Sequence, residues 1–113
     1  MSDFVSNEPI EVDIDGRIFK IKEVSGEEAD LIANAYIKIK DENTLDIDIA
    51  AKSREWLKHT VMDAPYDLSG KPFTELNPDQ RVSILQQLKP AIRSKLLKEI
   101  YKINEPPSDI KKN

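Results

Sequence analysis

The chain has 113 residues, of which 39% are hydrophobic and 34% are charged, and its formal net charge is −4. This length and composition predict one soluble domain with a single modest core. The chain has no cysteine, which excludes disulfides, thiol nucleophiles and thiolate metal sites. It also lacks a long apolar run and a basic, apolar leader, so we expect a cytoplasmic protein without a membrane span.

Charge is unevenly distributed along the chain. Residues 1–50 carry 13 acidic and 5 basic side chains, whereas residues 51–113 carry 8 acidic and 12 basic ones. An acidic front and a basic back can pair within the fold, or head to tail between copies. The same distribution also fits an ordinary solvated surface, so the sequence leaves these alternatives open.

The pattern along the chain predicts an α+β, mostly α fold, with an N-terminal β-hairpin followed by three to four helices. A flexible lead-in precedes the single domain and a flexible tail follows it. The predicted boundaries are 1–8 for the lead-in, 9–104 for the domain, about 9–24 for the hairpin, about 26–40, 47–63, 78–88 and 90–104 for the helices, and 105–113 for the tail.

The hairpin is predicted from apolar and polar residues that alternate on both sides of Asp15-Gly16. An Asp-Gly pair suits a type I′ turn because both central residues of that turn need positive φ. After the turn, we expect Ile18 and Ile21 on one face of the second strand and Phe19 on the other.

The first helix is predicted to begin at a capping box. Ser25 and Glu28 have the spacing at which each side chain satisfies an unpaired backbone donor of the other residue. Apolar residues from Leu31 to Ile39 then recur at helical spacing. The polar segment "KDENT" is expected to end this helix near residue 40.

The second helix is predicted to begin after Asp46 or Asp48 and to end near Asp63. The segment "APYDLSGKPF" has two prolines and a glycine, and we expect it to be a loop. The apolar stripe of the helix is predicted to consist of Ile49 or Ala50, Ser53, Trp56 or Leu57, and Val61.

The third helix is predicted to begin at "NPDQ", with Asn77 as N-cap, Pro78 at the first helical position and Gln80 completing a capping box. Pro90 interrupts the apolar pattern that follows, because proline inside a helix removes a backbone hydrogen bond and clashes with the preceding turn. One kinked helix and two separate helices are both possible, and we favour a break at Pro90.

No residue pattern in the chain indicates catalysis, cofactor binding or metal binding. His59 is the only histidine, and with Asp63 one turn later it offers too few ligands for zinc. The acidic residues 27–30 are explained by the first turn of a helix, where the helix dipole favours negative charge. The glycines form no phosphate-binding loop. We therefore predict a protein that is not an enzyme and needs no cofactor.

The basic segment "KPAIRSKLLKEIYK" is the feature that most strongly indicates a binding surface. On a helix it combines a wide apolar arc with flanking positive charge, which is typical of partner surfaces. It can instead dock on the protein's own core, or bind nucleic acid, although the acidic net charge and the single aromatic residue disfavour the latter. The predicted partner-binding residues are Arg93, Leu96, Leu97, Lys98, Ile100 and Tyr101.

The order of elements resembles the tail assembly chaperones of long-tailed bacteriophages and related prophages. The likeness covers about residues 10–104: the strand–turn–strand "IEVDIDGRIFKIKEV", the capped helix "SGEEADLI", a tryptophan-containing helical segment, a proline-rich loop and "LNPDQRVSILQQL". It depends on this layout and on no diagnostic motif.

The resemblance implies a non-enzymatic function in the host cytoplasm. Such chaperones coat the helix-rich tape measure protein, keep it soluble and help recruit tail tube protein, and they tend to self-associate. The implied partners are therefore the tape measure protein and the tail tube protein. The alternative function is a small regulatory or nucleic-acid-associated binding module that uses the basic C-terminal helix.

Overall fold

The computed structural model describes residues 3–6 and 8–104, so part of the predicted lead-in and all of the predicted tail at 105–113 lie outside the described residues. Within them the fold is α+β and mostly α, as predicted. The elements are β1 (Ile10–Ile14), β2 (Arg17–Ile21), α1 (Gly26–Tyr36), β3 (Ile37–Asp41), β4 (Thr44–Ile47), α2 (Ile49–Thr60), β5 (Val61–Asp63), β6 (Asp67–Leu68), β7 (Lys71–Pro72), a 3-10 turn (Phe73–Glu75), α3 (Pro78–Gln86) and α4 (Pro90–Asn104).

The first hairpin, β1–β2, has the predicted turn. Asp15 and Gly16 both have positive φ, 53° and 88°, as a type I′ turn requires. The predicted faces of β2 were wrong, because Phe19 and Ile21 are both buried whereas Ile18 is exposed. Residues two apart share a face of a strand, so Phe19 and Ile21 point into the core together.

Helix α1 begins with half of the predicted capping box. The backbone N–H of Glu28 donates to Ser25 Oγ at 3.1 Å. The carboxylate of Glu28, however, contacts His59 Nδ1 at 2.9 Å. The acidic side chain thus links α1 to α2, and the predicted local explanation for Glu28 covers only part of its role.

The predicted end of α1 near residue 40 was wrong, because the helix ends at Tyr36 and the chain enters a second hairpin, β3–β4. In this hairpin Ile37 pairs with Ile47, and Ile39 pairs with Leu45. The backbone N–H of Asp48 donates to the carbonyl of Tyr36 at 2.9 Å, which closes the base of the hairpin against α1.

Helix α2 begins at the predicted cap, where Asp48 Oδ1 accepts the N–H of Ala51 at 3.0 Å. It ends at Thr60 and not at Asp63, because Val61 pairs with Ile21 and extends the first sheet to the order β1–β2–β5. The predicted stripe was partly wrong, since both candidates for its first position, Ile49 and Ala50, are exposed. The residues of α2 that are buried are Ala51, Trp56, Leu57 and Thr60.

The second half of the chain forms two helices that meet at the predicted break. Both halves of the capping box at Asn77 and Gln80 are present. Helix α3 ends at Gln86 and α4 begins at Pro90, where a missing backbone N–H costs no helical bond. The predicted loop between α2 and α3 contains a short hairpin, β6–β7, in which each strand has two residues. Its turn residues, Ser69 and Gly70, have positive φ.

The core lies between the first sheet and the helices, and α4 contributes residues along its whole length. The C-terminal end of α4 is fixed to the start of α1 by Asn104. Its Oδ1 accepts the N–H of Val24 at 2.8 Å, and its Nδ2 donates to the carbonyl of Lys22 at 3.3 Å. These bonds join residues about 80 positions apart in the sequence. Helix α4 is therefore held on the core by hydrogen bonds as well as by apolar packing.

Candidate partner-binding groove

The structure divides the six predicted partner-binding residues between the core and the surface. Leu96 and Ile100 are fully buried, and Leu97 is only 8% exposed. Their apolar arc docks on the protein's own core, which was the alternative left open by the sequence. The prediction that these three residues form an exposed apolar centre was therefore wrong, because all three are buried.

The other three predicted residues are more accessible. Lys98 is exposed on the outer face of α4, and Tyr101 is half-buried. Arg93 is also half-buried and donates from Nη1 to the carbonyl of Gln86 at 3.1 Å, which fixes it against the end of α3. Lys98 and Tyr101 are thus the predicted residues that remain at the surface near one another.

A groove of about 420 Å³ lies between α2 and α4, and we call it the α2–α4 groove. Three of the predicted residues, Leu97, Lys98 and Tyr101, are in its wall. The remaining lining residues were missed by the sequence reasoning because they belong to α2 or to the polar side of α4. The complete lining is Ile49, Lys52, Ser53, Ser94, Leu97, Lys98 and Tyr101.

Tyr101 is the aromatic residue that lines the groove, and its ring connects the groove to buried aromatic side chains. The ring of Tyr101 meets the ring of the buried Trp56 edge-on, with centroids 6.0 Å apart. Lys52 Nζ lies 5.7 Å from the ring centre of Tyr36 and 5.3 Å from that of Tyr101. At these distances, cation–π attraction holds the ammonium of Lys52 at the groove beside Tyr101.

Burial raises the pKa of Tyr101 to about 12, and the neighbouring Tyr36 adds a smaller contribution. The folded state therefore holds this proton more tightly than the unfolded state. The corresponding stability is fully present below the unfolded pKa of about 10 and is lost as the pH rises towards 12.

Tyr101→Phe is expected to remove this dependence on pH. In wild type, the denaturation midpoint should fall more steeply between pH 10 and 12 than in the variant, because only wild type has this phenol to ionise. Tyrosinate absorbance, measured over the same range, should lose the component with a pKa of about 12 in the variant. Identical pH profiles for the two proteins would contradict the environment described for Tyr101.

The rim of the groove combines positive charge with exposed apolar surface. Neither Lys52 nor Lys98 has a carboxylate partner among the described residues. Ile49 is 69% exposed at the first position of α2. A segment that carries an apolar side chain beside a carboxylate would satisfy both features at once.

The sequence contained one signal for the α2 side of this groove. Ile49, Lys52 and Ser53 are spaced three and four residues apart, so they share one helical face. The predicted apolar stripe included Ile49 or Ala50, and Ser53, so part of this face was expected in the core. Ile49 is exposed because α2 docks with a different face, which carries Ala51 and Trp56, against the core.

A second group of titratable side chains surrounds His59 but has a structural explanation. His59 Nε2 lies 3.6 Å from Glu55 Oε1, and Glu28 lies on the other side of the imidazole ring. Asp63 does not share this arrangement, since its Oδ1 accepts the N–H of Ala64 at 2.8 Å. Among the described residues, no three histidine, cysteine or acidic side chains are placed to hold a metal ion.

Comparisons with known proteins gave no matching family model, no matching curated protein and no matching solved structure. The family resemblance therefore stays a prediction from the order of elements in the sequence. Within the described part of the chain, no helix combines the length and the apolar character needed to cross a membrane.

Proposed function

We propose that this protein is a tail assembly chaperone of the phage type, and that its α2–α4 groove binds a helical segment of a tape measure protein. The observation that carries this proposal is the groove itself, with its apolar wall and two lysines that lack carboxylate partners. A non-enzymatic binding protein of the host cytoplasm is the function that best combines this surface with the resemblance.

The size of the groove supports an anchoring role. A stable protein interface buries roughly 800 Å² on each partner, and a few residues carry most of the binding energy. The groove of about 420 Å³ accommodates one or two apolar side chains. We infer that these side chains anchor the tape measure helix, and that its acidic residues meet Lys52 and Lys98 at the rim.

Co-expression with a tape measure protein encoded in the same genome tests the proposal. We expect the soluble fraction of that protein to rise severalfold with wild-type chaperone. Lys98→Glu should abolish the rise, because it places a negative charge where we expect the partner's carboxylates. Lys89→Glu is the matched control, since it makes the same change at an exposed position outside the groove.

Two results would overturn the proposal. One is a tape measure protein whose solubility does not change when the wild-type chain is present. The other is a gene neighbourhood without tape measure and tail tube genes, because the proposed partners would then not be made together with this chain.

The alternative of nucleic-acid binding by the basic C-terminal helix has less support. Lys95 Nζ pairs with Asp15 Oδ2 at 2.8 Å, and Lys102 pairs with Glu99 at 3.4 Å. Arg93 donates to the backbone at the end of α3. Binding along a nucleic-acid backbone needs a continuous row of cations that are free to contact phosphates. On α4 these pairings interrupt such a row.

A further inference from the structure

A second cleft, of about 390 Å³, lies beside the β6–β7 hairpin and shares no lining residue with the α2–α4 groove. The end of β5, the segment before β6 and the start of the 3-10 turn form it. We call it the β6–β7 cleft. Its apolar walls and its charge come from Pro65, Tyr66, Pro72 and Phe73, and from Asp63 and Asp67. The proposed function uses none of these residues.

The apolar walls of the β6–β7 cleft are held in place by the rest of the fold. Phe73 is buried, and Arg81 fixes the 3-10 turn by donating to the carbonyls of Phe73 at 3.2 Å and Thr74 at 2.7 Å. The ring of Tyr66 packs on the buried ring of Phe19, with centroids 5.9 Å apart. The two prolines have a fixed φ. The walls are therefore preorganised, and a ligand that binds them pays little for ordering them.

One hydrogen-bond donor of the cleft is unpaired. The hydroxyl of Tyr66 is buried and has no partner among the described residues. A buried hydroxyl without an acceptor is unfavourable, so a ligand that supplies a carbonyl oxygen gains at this position. A polyproline II helix offers such acceptors, because it has no internal hydrogen bonds.

The charge of the cleft lining is acidic. Neither Asp63 nor Asp67 has an ion-pair partner within the described part of the chain. Basic residues occur nearby but do not line the cleft: Lys20 is opposite Asp63 in the β2–β5 pairing, and Arg81 is bonded to the 3-10 turn. Lys71 points to the other face of β7, since successive residues of a strand alternate. A cation beside an apolar ligand would therefore meet two carboxylates that no ion pair occupies.

We propose that the β6–β7 cleft binds a proline-rich segment of another protein, in the polyproline II conformation, with a lysine or arginine beside the prolines. Walls of aromatic side chains suit this helix, whose conformation already exists in the free segment. The cleft of about 390 Å³ accommodates about one turn of it, roughly three residues. The cation of the segment meets Asp67 at the exposed rim and sets the direction of binding.

Calorimetric titration of the full chain with the capped peptide Arg-Pro-Pro-Pro-Pro-Pro-Pro tests the proposal. We expect this peptide to bind wild type about tenfold or more tightly than Arg-Ala-Ala-Ala-Ala-Ala-Ala, which keeps the cation and loses the polyproline II conformation. Amide chemical shifts should change at Ala64 and Asp67, which line the cleft. A wild type that binds neither peptide, equal binding of the two, or shift changes confined to other elements would overturn the proposal.

Two variants test the residues of the cleft. Tyr66→Ala removes the ring and its hydroxyl and should weaken binding by about tenfold or more. Because Tyr66 also packs on Phe19, Asp67→Lys provides a second test at an exposed position. It should weaken binding of the arginine peptide severalfold and strengthen binding of the peptide in which glutamate replaces arginine.

Asp30→Lys is the matched control for the charge change, because Asp30 is exposed on α1 and does not line the cleft. It should leave the affinities for both peptides unchanged. An Asp67→Lys variant that binds the two peptides as wild type does would contradict the proposal, and so would an Asp30→Lys variant with the same effect as Asp67→Lys.

The competing occupant is a segment of this chain, since residues 105–113 contain two prolines and two lysines. Pro106→Ser with Pro107→Ser distinguishes the two occupants. If a separate partner binds the cleft, this variant binds the arginine peptide with the affinity of wild type. Binding that occurs only in the variant would assign the cleft to the chain's own segment and overturn the proposal of a separate partner.

Discussion

Trp56→Ala is expected to lower the free energy of unfolding by about 3–5 kcal/mol. Trp56 is the largest of the fully buried side chains, and its removal leaves a cavity that neighbouring side chains fill only in part. A domain of this size is stable by about 5–15 kcal/mol, so the variant loses a large share of its stability. Chemical denaturation followed by circular dichroism measures the change.

A second variant separates volume from chemistry at this position. The indole Nε1 of Trp56 is buried and has no hydrogen-bond partner among the described residues. Trp56→Phe removes this donor and keeps an aromatic ring against Tyr101, so we expect it to cost less than half as much as the alanine variant.

The control for both variants is Lys58→Ala, an exposed change on the same helix. It should stay within about 0.5 kcal/mol of wild type. A Trp56→Ala variant as stable as this control would contradict the burial of the indole. Trp56→Ala also removes the ring contact of Tyr101, a residue that lines the groove.

The elements that the sequence predicted well are those specified by local chemistry. The turn at Asp15-Gly16 and the capping box at Asn77 and Gln80 depend on residues adjacent in the chain. The break at Pro90 follows from the geometry of one residue. Each of these features needs no knowledge of what packs against it.

The missed elements depend on contacts between distant parts of the chain. Helix α2 ends at Thr60 because Val61 pairs with Ile21, a partner 40 positions earlier in the sequence. The second hairpin was missed because Ile39 continues the helical spacing of α1. The alternation in "IKIK" also fits a strand, and the backbone bond from Asp48 to Tyr36 accompanies the strand pairing.

The candidate site was half predictable for a similar reason. The sequence singled out α4 as the candidate binding helix, and three of the residues that it named, Leu97, Lys98 and Tyr101, line the groove. It could not say which side of the apolar arc would be covered, because the period of a helix does not reveal what docks on it. Ile49 and Lys52 entered the site only through the position of α2.

Ile100→Ala, by contrast, tests whether the arc on α4 belongs to the core or to a partner surface. We expect a loss of about 2–5 kcal/mol in the free energy of unfolding, because Ile100 is fully buried between α4 and the rest of the fold. A residue on an exposed binding surface would change stability by only about 0.5 kcal/mol. Leu96→Ala should behave in the same way.

Lys98→Glu completes the test, because Lys98 lies on the same helix at the surface. The free energy of unfolding of this variant should stay within about 0.5 kcal/mol of wild type. The variant should nevertheless abolish the rise in soluble tape measure protein. Ile100→Ala thus reports on folding and Lys98→Glu on binding, although the two residues lie in one turn of α4. An Ile100→Ala variant with wild-type stability and impaired solubilisation would return the apolar arc to the partner surface, and the α2–α4 groove would then lose its place as the binding site.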